Sequence, residues 1–194
     1  MSDLLRSIGE SFEIPGRFVS GQRLGSGHIH DTYRASFERD ATETRYVFQR
    51  LNAHVFADPE CLMQNLVRVT RHLRQKLLDG GVTDVDRHCL RLIHALDGRP
   101  FCVDSEGRYW RCFPFQEGTR SHDTIDSPLQ AYEVARAFGS FAALISDLPP
   151  PPLAVTIPEF HDLDRRLEAL EAAIVTDSQR RVDGVQPEIE RARI

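Results

Sequence analysis

The chain has 194 residues, 41% of them apolar and 27% charged, with a net charge of −5. That balance supports one generous folded domain or two small lobes; a core can form, so disorder is not the default reading. The acidic excess argues against broad attraction to nucleic acid or to an anionic membrane. Positive charge rests almost wholly on arginine, and Lys76 is the only lysine. Cys61, Cys89, Cys102 and Cys112 form no C-x-x-C pair, and each is flanked by apolar residues, as small buried hydrophobes are. No apolar run approaches the roughly 20 residues a membrane span needs, and no secretory leader pattern opens the chain. A reducing cytoplasm is the expected location.

Along the chain, Leu4, Leu5, Ile8 and Phe12 predict a short amphipathic helix over residues 3–12, stopped by Pro15 and Gly16. Residues 17–24 alternate loosely. A glycine-rich turn follows, and residues 32–37 resume as a strand with Tyr33, Ala35 and Phe37 on one face. Residues 39–43 are a polar turn before a third strand over 45–51. Asp58-Pro59 is a helix start. Leu62, Leu66, Val69, Leu73 and Leu77 then make one apolar stripe that ends at Gly80-Gly81. Residues 90–95, 101–103 and 109–115 read as strands. Ser127-Pro128 opens a helix that four prolines, Pro149 to Pro152, terminate. Residues 162–175 predict another helix, and the polar tail 176–194 predicts a loosely held end unless something packs on it. Hairpins with one inserted helix suggest an α+β fold, an antiparallel sheet with the helix packed on one face.

The turn Gly25-Ser26-Gly27-His28-Ile29-His30-Asp31-Thr32-Tyr33 lies between two strands. Such a turn points backbone N–H groups at one concave spot, and glycine permits both close approach and unusual φ. Ser26 and Thr32 could add hydroxyl donors. The pattern lacks the third glycine and following helix of a dinucleotide fingerprint and the Gly-Lys-Ser/Thr of a Walker A loop. A tight hairpin without a ligand is the other reading of the same spacing.

These residues resemble the glycine loop of the aminoglycoside phosphotransferase-like kinases. Further stretches resemble the branch that phosphorylates N-acetylhexosamines at C1. They are Tyr46-Val47-Phe48-Gln49-Arg50-Leu51-Asn52, Val55-Phe56-Ala57-Asp58-Pro59, Leu62-Met63-Gln64-Asn65 with Val69-Thr70, and Ile157-Pro158-Glu159-Phe160-His161-Asp162. The resemblance covers roughly residues 10 to 175. It implies a protein-kinase-like N-terminal lobe over residues 1–116, then a hinge and an incomplete helical lobe over 117–194. ATP would lie between the lobes, with a small sugar as acceptor. By the resemblance, Gly25, Ser26, Gly27, His28, Ile29, His30, Asp31 and Thr32 would cover the phosphates. Residues 112–118 would form the hinge, with the Pro114 carbonyl and the Gln116 N–H bonding adenine.

Two departures from the family pattern stand out. His30 occupies a place where many relatives carry Asn. The third strand offers no lysine for the phosphates; Gln49 stands at that place and Arg50 beside it. Strand alternation lets only one of these two face a cleft. Gln64 would take the place of the usual helix glutamate.

Phosphoryl transfer also needs a carboxylate near the attacking hydroxyl and ligands for Mg²⁺. The family draws these from a His-Gly-Asp loop ending in Asn, which this sequence does not contain. His161-Asp162-Leu163-Asp164 precedes a helical pattern, so Asp162 reads as a helix cap. No catalytic or metal residue is therefore assigned, and the Mg²⁺ ligands are expected beyond Ile194. The expectation is a sugar-kinase-like nucleotide-binding portion that is inactive alone. The alternative is a non-catalytic nucleotide- or protein-binding remnant.

Overall fold

A computed structural model describes every residue except Met1, Ser26, His28, Ser121, Arg193 and Ile194. Helix α1 spans Ser2–Glu10 and buries Leu5, Ile8 and Gly9. Strands β1 (Arg17–Arg23), β2 (Asp31–Arg39) and β3 (Thr42–Arg50) follow, then helices α2 (Pro59–Asp79) and α3 (Val85–His88), and strands β4 (Cys102–Val103) and β5 (Tyr109–Pro114). The strands form one antiparallel sheet in the order β1-β2-β3-β5-β4. Helix α4 (Pro128–Ile145) comes next, then α5 (Leu163–Thr176), a 3-10 turn at Val182–Gly184, and α6 (Gln186–Ala192). The chain divides into two compact units, Met1–Thr156 and Ile157–Ile194. The expected lobe boundary at 116/117 falls in the loop after β5, inside the first unit.

The two faces of the sheet are covered differently, and alternation explains how. Trp110 and Cys112 of β5 point to the same side as Tyr33, Ala35, Phe37, Tyr46 and Phe48, and all are buried with Leu5, Ile8 and Phe12 in one core. Helix α1 lies close on that side. A Cβ on Gly9 would stand 2.3 Å from the Phe37 ring, so glycine is what lets the helix sit there. The intervening residues Tyr109, Arg111 and Phe113 face the other way. On that side Tyr109 packs against a cluster that includes Leu51, Met63, Leu66 and Phe101.

Helix α2 follows its local signals. The Asp58 carboxylate accepts the Cys61 N–H at 2.9 Å, with proline in the first turn. Its apolar stripe divides between two clusters: Leu62, Met63 and Leu66 in one, and Val69, Leu73 and Leu77 with Val85 and Cys89 in the other. The same helix holds the proline run. Arg68 donates to the carbonyls of Pro149, Pro151 and Pro152. The side chain of Asn65 both donates to and accepts from the backbone of Ala154. Lys76 is bound to Asp147 at 2.7 Å, so the single lysine serves this dock.

The structure differs from these expectations at several points. Residues 90–95 form no strand, only single bridges from Ile93 to Cys112 and from Ala95 to Phe12. Their backbone partners change residue by residue: Ile93 N–H bonds Cys112, His94 C=O bonds Glu13, and Ala95 N–H bonds Arg99. No ladder can propagate along such a segment. The short α3 carries no apolar periodicity and went unread. The described part of the tail is folded: α6 buries Ile189, which shares a cavity of about 350 Å³ with Leu170 and Ile174. Of the cysteines, Cys89, Cys102 and Cys112 are buried as expected, whereas Cys61 is half-buried, and all four are free thiols. No helix among the described residues is long and apolar enough to cross a membrane.

Candidate functional site

A cavity of about 560 Å³ opens on the α2 side of the sheet, a size typical of small-ligand sites. Gly25 lies at one part of its wall, Val47 and Gln49 of β3 and Arg111 and Phe113 of β5 form its sheet side, and Pro114 and Gln116 close another edge. Leu24, Leu66 and Leu90 add apolar surface. Gly25 has φ +73°, in the left-handed region where glycine is favoured, so the chain can leave β1 there. Thr32 closes the turn by accepting the Leu24 N–H at 2.8 Å. Ser26 and His28, both expected to cover phosphates, lie outside the described residues.

The register decides the question that alternation left open. Gln49 stands opposite Thr32 on β2 and opposite Arg111 on β5. Its amide donates to Thr32 Oγ1 at 3.0 Å, and its carbonyl oxygen accepts the Arg111 Nε–H at 3.0 Å. Gln49 is therefore the residue on the cavity side. Arg50 points to the opposite face, where its guanidinium clasps Asp31. Arg23 reaches the other carboxylate oxygen of Asp31 at 3.1 Å. Asp31, Arg50 and Ile29 line a separate cavity of about 550 Å³. Gly27 is exposed and lines neither cavity. Gln64 is exposed on α2, and Leu66 is the α2 residue that meets the first cavity.

His30 joins the turn to the end of β3. Its Nδ1 accepts the Asn52 N–H at 3.2 Å, and its ring stacks on Phe56 at 5.4 Å. Burial, and then the nearby Arg111 charge, hold its pKa below the ordinary histidine value against a smaller opposing pull from Asp31. The folded chain thus keeps a neutral imidazole where the unfolded chain would protonate. Stability from this group is present above the unfolded pKa of about 6.5 and is lost as pH falls further. We expect the unfolding midpoint of the wild type to drop between pH 8 and pH 5.5 by more than that of His30→Asn. Equal drops in the two proteins would remove His30 from the account.

The segment expected to form the hinge is held from both sides. Phe115 N–H bonds the Arg45 carbonyl at 3.0 Å. Backbone groups of neighbouring residues alternate in an antiparallel ladder, so the Pro114 carbonyl is turned away from β3. The Gln116 side chain donates to the Asp86 carbonyl at 2.8 Å, and Arg87 donates to the Glu117 carbonyl at 2.7 Å. Arg45 also pairs with the Glu117 carboxylate. The two charged cavity residues, Arg111 and Arg120, were not expected from the sequence. The apolar-polar alternation of β5 does place Arg111 on the face away from Trp110, but nothing local says what stands opposite it.

The described residues include no group of three or more His, Cys, Asp or Glu side chains that could hold a metal ion. Asp31, the carboxylate beside the turn, is taken up by two arginines. These residues do not fit a magnesium site. Asp162, on α5, is a helix cap: its carboxylate accepts the Arg165 N–H at 3.0 Å.

No family model matches the sequence. Among solved structures the chain is similar to spectinomycin phosphotransferase, APH(9)-Ia, in a crystal structure with ADP and spectinomycin. The TM-score is 0.53 at 14% sequence identity, and the match covers 98% of this chain and 56% of that one. The chain thus spans little more than half the length of that structure. What the two share is a fold: the mixed α+β architecture of this chain, with its five-stranded antiparallel sheet, matches a kinase-like N-terminal lobe.

Proposed function

We propose that the chain is the nucleotide-binding part of an ATP-dependent phosphotransferase acting on a hydroxyl of a small molecule. One observation carries the reading: Gly25, Gln49, and the pair Pro114 and Gln116, drawn from three separate stretches of sequence, line the same cavity. Adenine would lie between the apolar walls at Leu24, Val47, Leu66 and Leu90, with the Pro114 carbonyl and the Gln116 N–H as its polar partners. The phosphates would run toward the turn at Gly25. The structural neighbour's complex with ADP and a small substrate supports this division of labour. The sequence stretches that resemble N-acetylhexosamine kinases favour an amino sugar as the acceptor, and the four free thiols favour a cytoplasmic setting. No catalytic step is assigned to these residues. The 194 residues alone are expected to bind nucleotide without turning it over.

A nucleotide titration tests the reading. With ATP at about ten times its Kd, mass action adds about 1.4 kcal/mol of stability, which raises Tm by roughly 3–5 °C for a chain of this size. Calorimetric titration should show one site per chain. If millimolar ATP, ADP and adenosine all leave Tm unchanged and produce no binding heat, the proposal is wrong.

A further inference from the structure

The site has no lysine on β3, yet it is not without a cation. Arg111 reaches the cavity from β5, directly across the ladder from Gln49. Its neighbours are neutral. Its Nε–H is donated to the Gln49 carbonyl oxygen at 3.0 Å, and its guanidinium lies 5.4 Å from the centre of the Phe113 ring. Among the described residues it forms no ion pair, whereas Arg45, Arg50, Arg74 and Arg108 are each matched to a carboxylate. None of the residues lining the cavity is acidic, and Arg120 adds a second positive charge to the wall.

A half-buried guanidinium without a carboxylate is costly, because the desolvation of the charge is not offset by an opposite one. Burial depresses the Arg111 pKa to about 10, so the group remains cationic at neutral pH. The charge is also tied to the strand that leaves the turn, since Gln49 bonds both Arg111 and Thr32. A fork of N–H donors facing a cavity free of acids, close to a glycine turn, is a site for a phosphate or other oxyanion.

We propose that Arg111 is the phosphate-gripping cation of this site, delivered from β5 in place of a lysine on β3. Gln49 positions it: the glutamine carbonyl fixes Nε and leaves the remaining N–H groups of the fork for phosphate oxygens, while its amide ties the arrangement to Thr32. The inference rests on the nucleotide reading above and adds to it the residue that distinguishes ATP from adenosine.

The test compares ATP, ADP and adenosine by calorimetric titration on the full 194-residue chain, wild type and Arg111→Met. Loss of a charged donor to phosphate is expected to weaken ATP and ADP by about 10- to 100-fold and to leave adenosine unchanged. The unliganded variant should melt no lower than the wild type, because an unmatched charge has been removed. Arg111→Lys should recover part of the ATP affinity. Arg111→Gln serves as a second neutral variant should the methionine variant not fold. Unchanged ATP affinity in a folded neutral variant overturns the role of Arg111 and leaves the nucleotide reading standing. Equal losses for ATP and adenosine also overturn it, because they report damage to the cavity. A wild-type chain that binds none of the three overturns both.

Discussion

Trp110→Ala is expected to lower the unfolding free energy of the sheet-bearing unit by about 3–5 kcal/mol, the range for removing a buried aromatic side chain. In a chain of this size that moves Tm by on the order of 10 °C or more. Trp110 is wholly buried in the core that Leu5 and Ile8 of α1 also enter, with Tyr33 5.7 Å away and Phe48 in the same core. It also has a polar task. Its indole N–H is donated to Asp104 at 2.8 Å, and the Asp104 side chain is only 4% exposed. Burial by itself would raise the Asp104 pKa. Donation from Trp110 and from the backbone and side chain of Arg108 outweighs that and holds it at about 2. Truncation therefore opens a cavity and deprives a buried carboxylate of a donor. Trp110→Phe weights the two costs differently, since it keeps a six-membered ring in the core and loses the N–H together with the five-membered part of the indole; the lost hydrogen bond alone accounts for about 1–2 kcal/mol.

The pH dependence carries the same signature. A carboxylate whose folded pKa is depressed contributes stability above its unfolded value of about 3.9, and that stability is lost as pH falls toward the folded value near 2. With one donor fewer, the folded pKa in Trp110→Phe moves up toward the unfolded value, so the acid loss should be smaller and should be complete at higher pH. Urea unfolding followed by circular dichroism between pH 7 and pH 2 reads both effects. A loss under about 1 kcal/mol in Trp110→Ala would show that the indole does not organise this core.

What the sequence showed, and what it hid, divides along the range of the interactions. Helix α2 was legible from Asp58 to Gly80 because a cap, a first-turn proline and a stripe are all local. The turn at Gly25 was legible for the same reason. Strand alternation showed that only one of Gln49 and Arg50 could face a cleft. Choosing between them needed a register, which is set by partners tens of residues away. Arg111 was hidden for that reason as well: its role comes from standing opposite Gln49, 62 residues earlier in the chain. Residues 90–95 had strand-like composition, but composition does not reveal that Ile93 and Ala95 bond different partners. The tail lacked a pattern because its few apolar residues, Val182, Val185 and Ile189, line one cavity with Leu170 and Ile174 without making a helical stripe.

The neutrality of position 49 follows from the charge at position 111, and this can be tested by restoring the usual kinase residue. Gln49→Lys removes the acceptor that holds Arg111 Nε and places a second cation beside it. Two unit charges roughly 5 Å apart at an effective dielectric of about 20 repel by about 3 kcal/mol. The single variant should be destabilised by about that amount, a fall in Tm of roughly 6–12 °C. The penalty should shrink as pH rises, because repulsion lowers the folded pKa of the new lysine below its ordinary value of about 10.4 and stability then increases with pH. Adding Arg111→Gln leaves one cation in the site, now on β3, with an amide beside it. The double variant should therefore be more stable than Gln49→Lys alone, and its two substitutions should couple favourably in a double-mutant cycle. It should also bind ATP more tightly than Arg111→Gln does. A fully stable Gln49→Lys chain, or a cycle with no coupling, would mean that the Arg111 guanidinium does not face position 49 in solution, and the exchange of a β3 lysine for a β5 arginine would lose its physical basis.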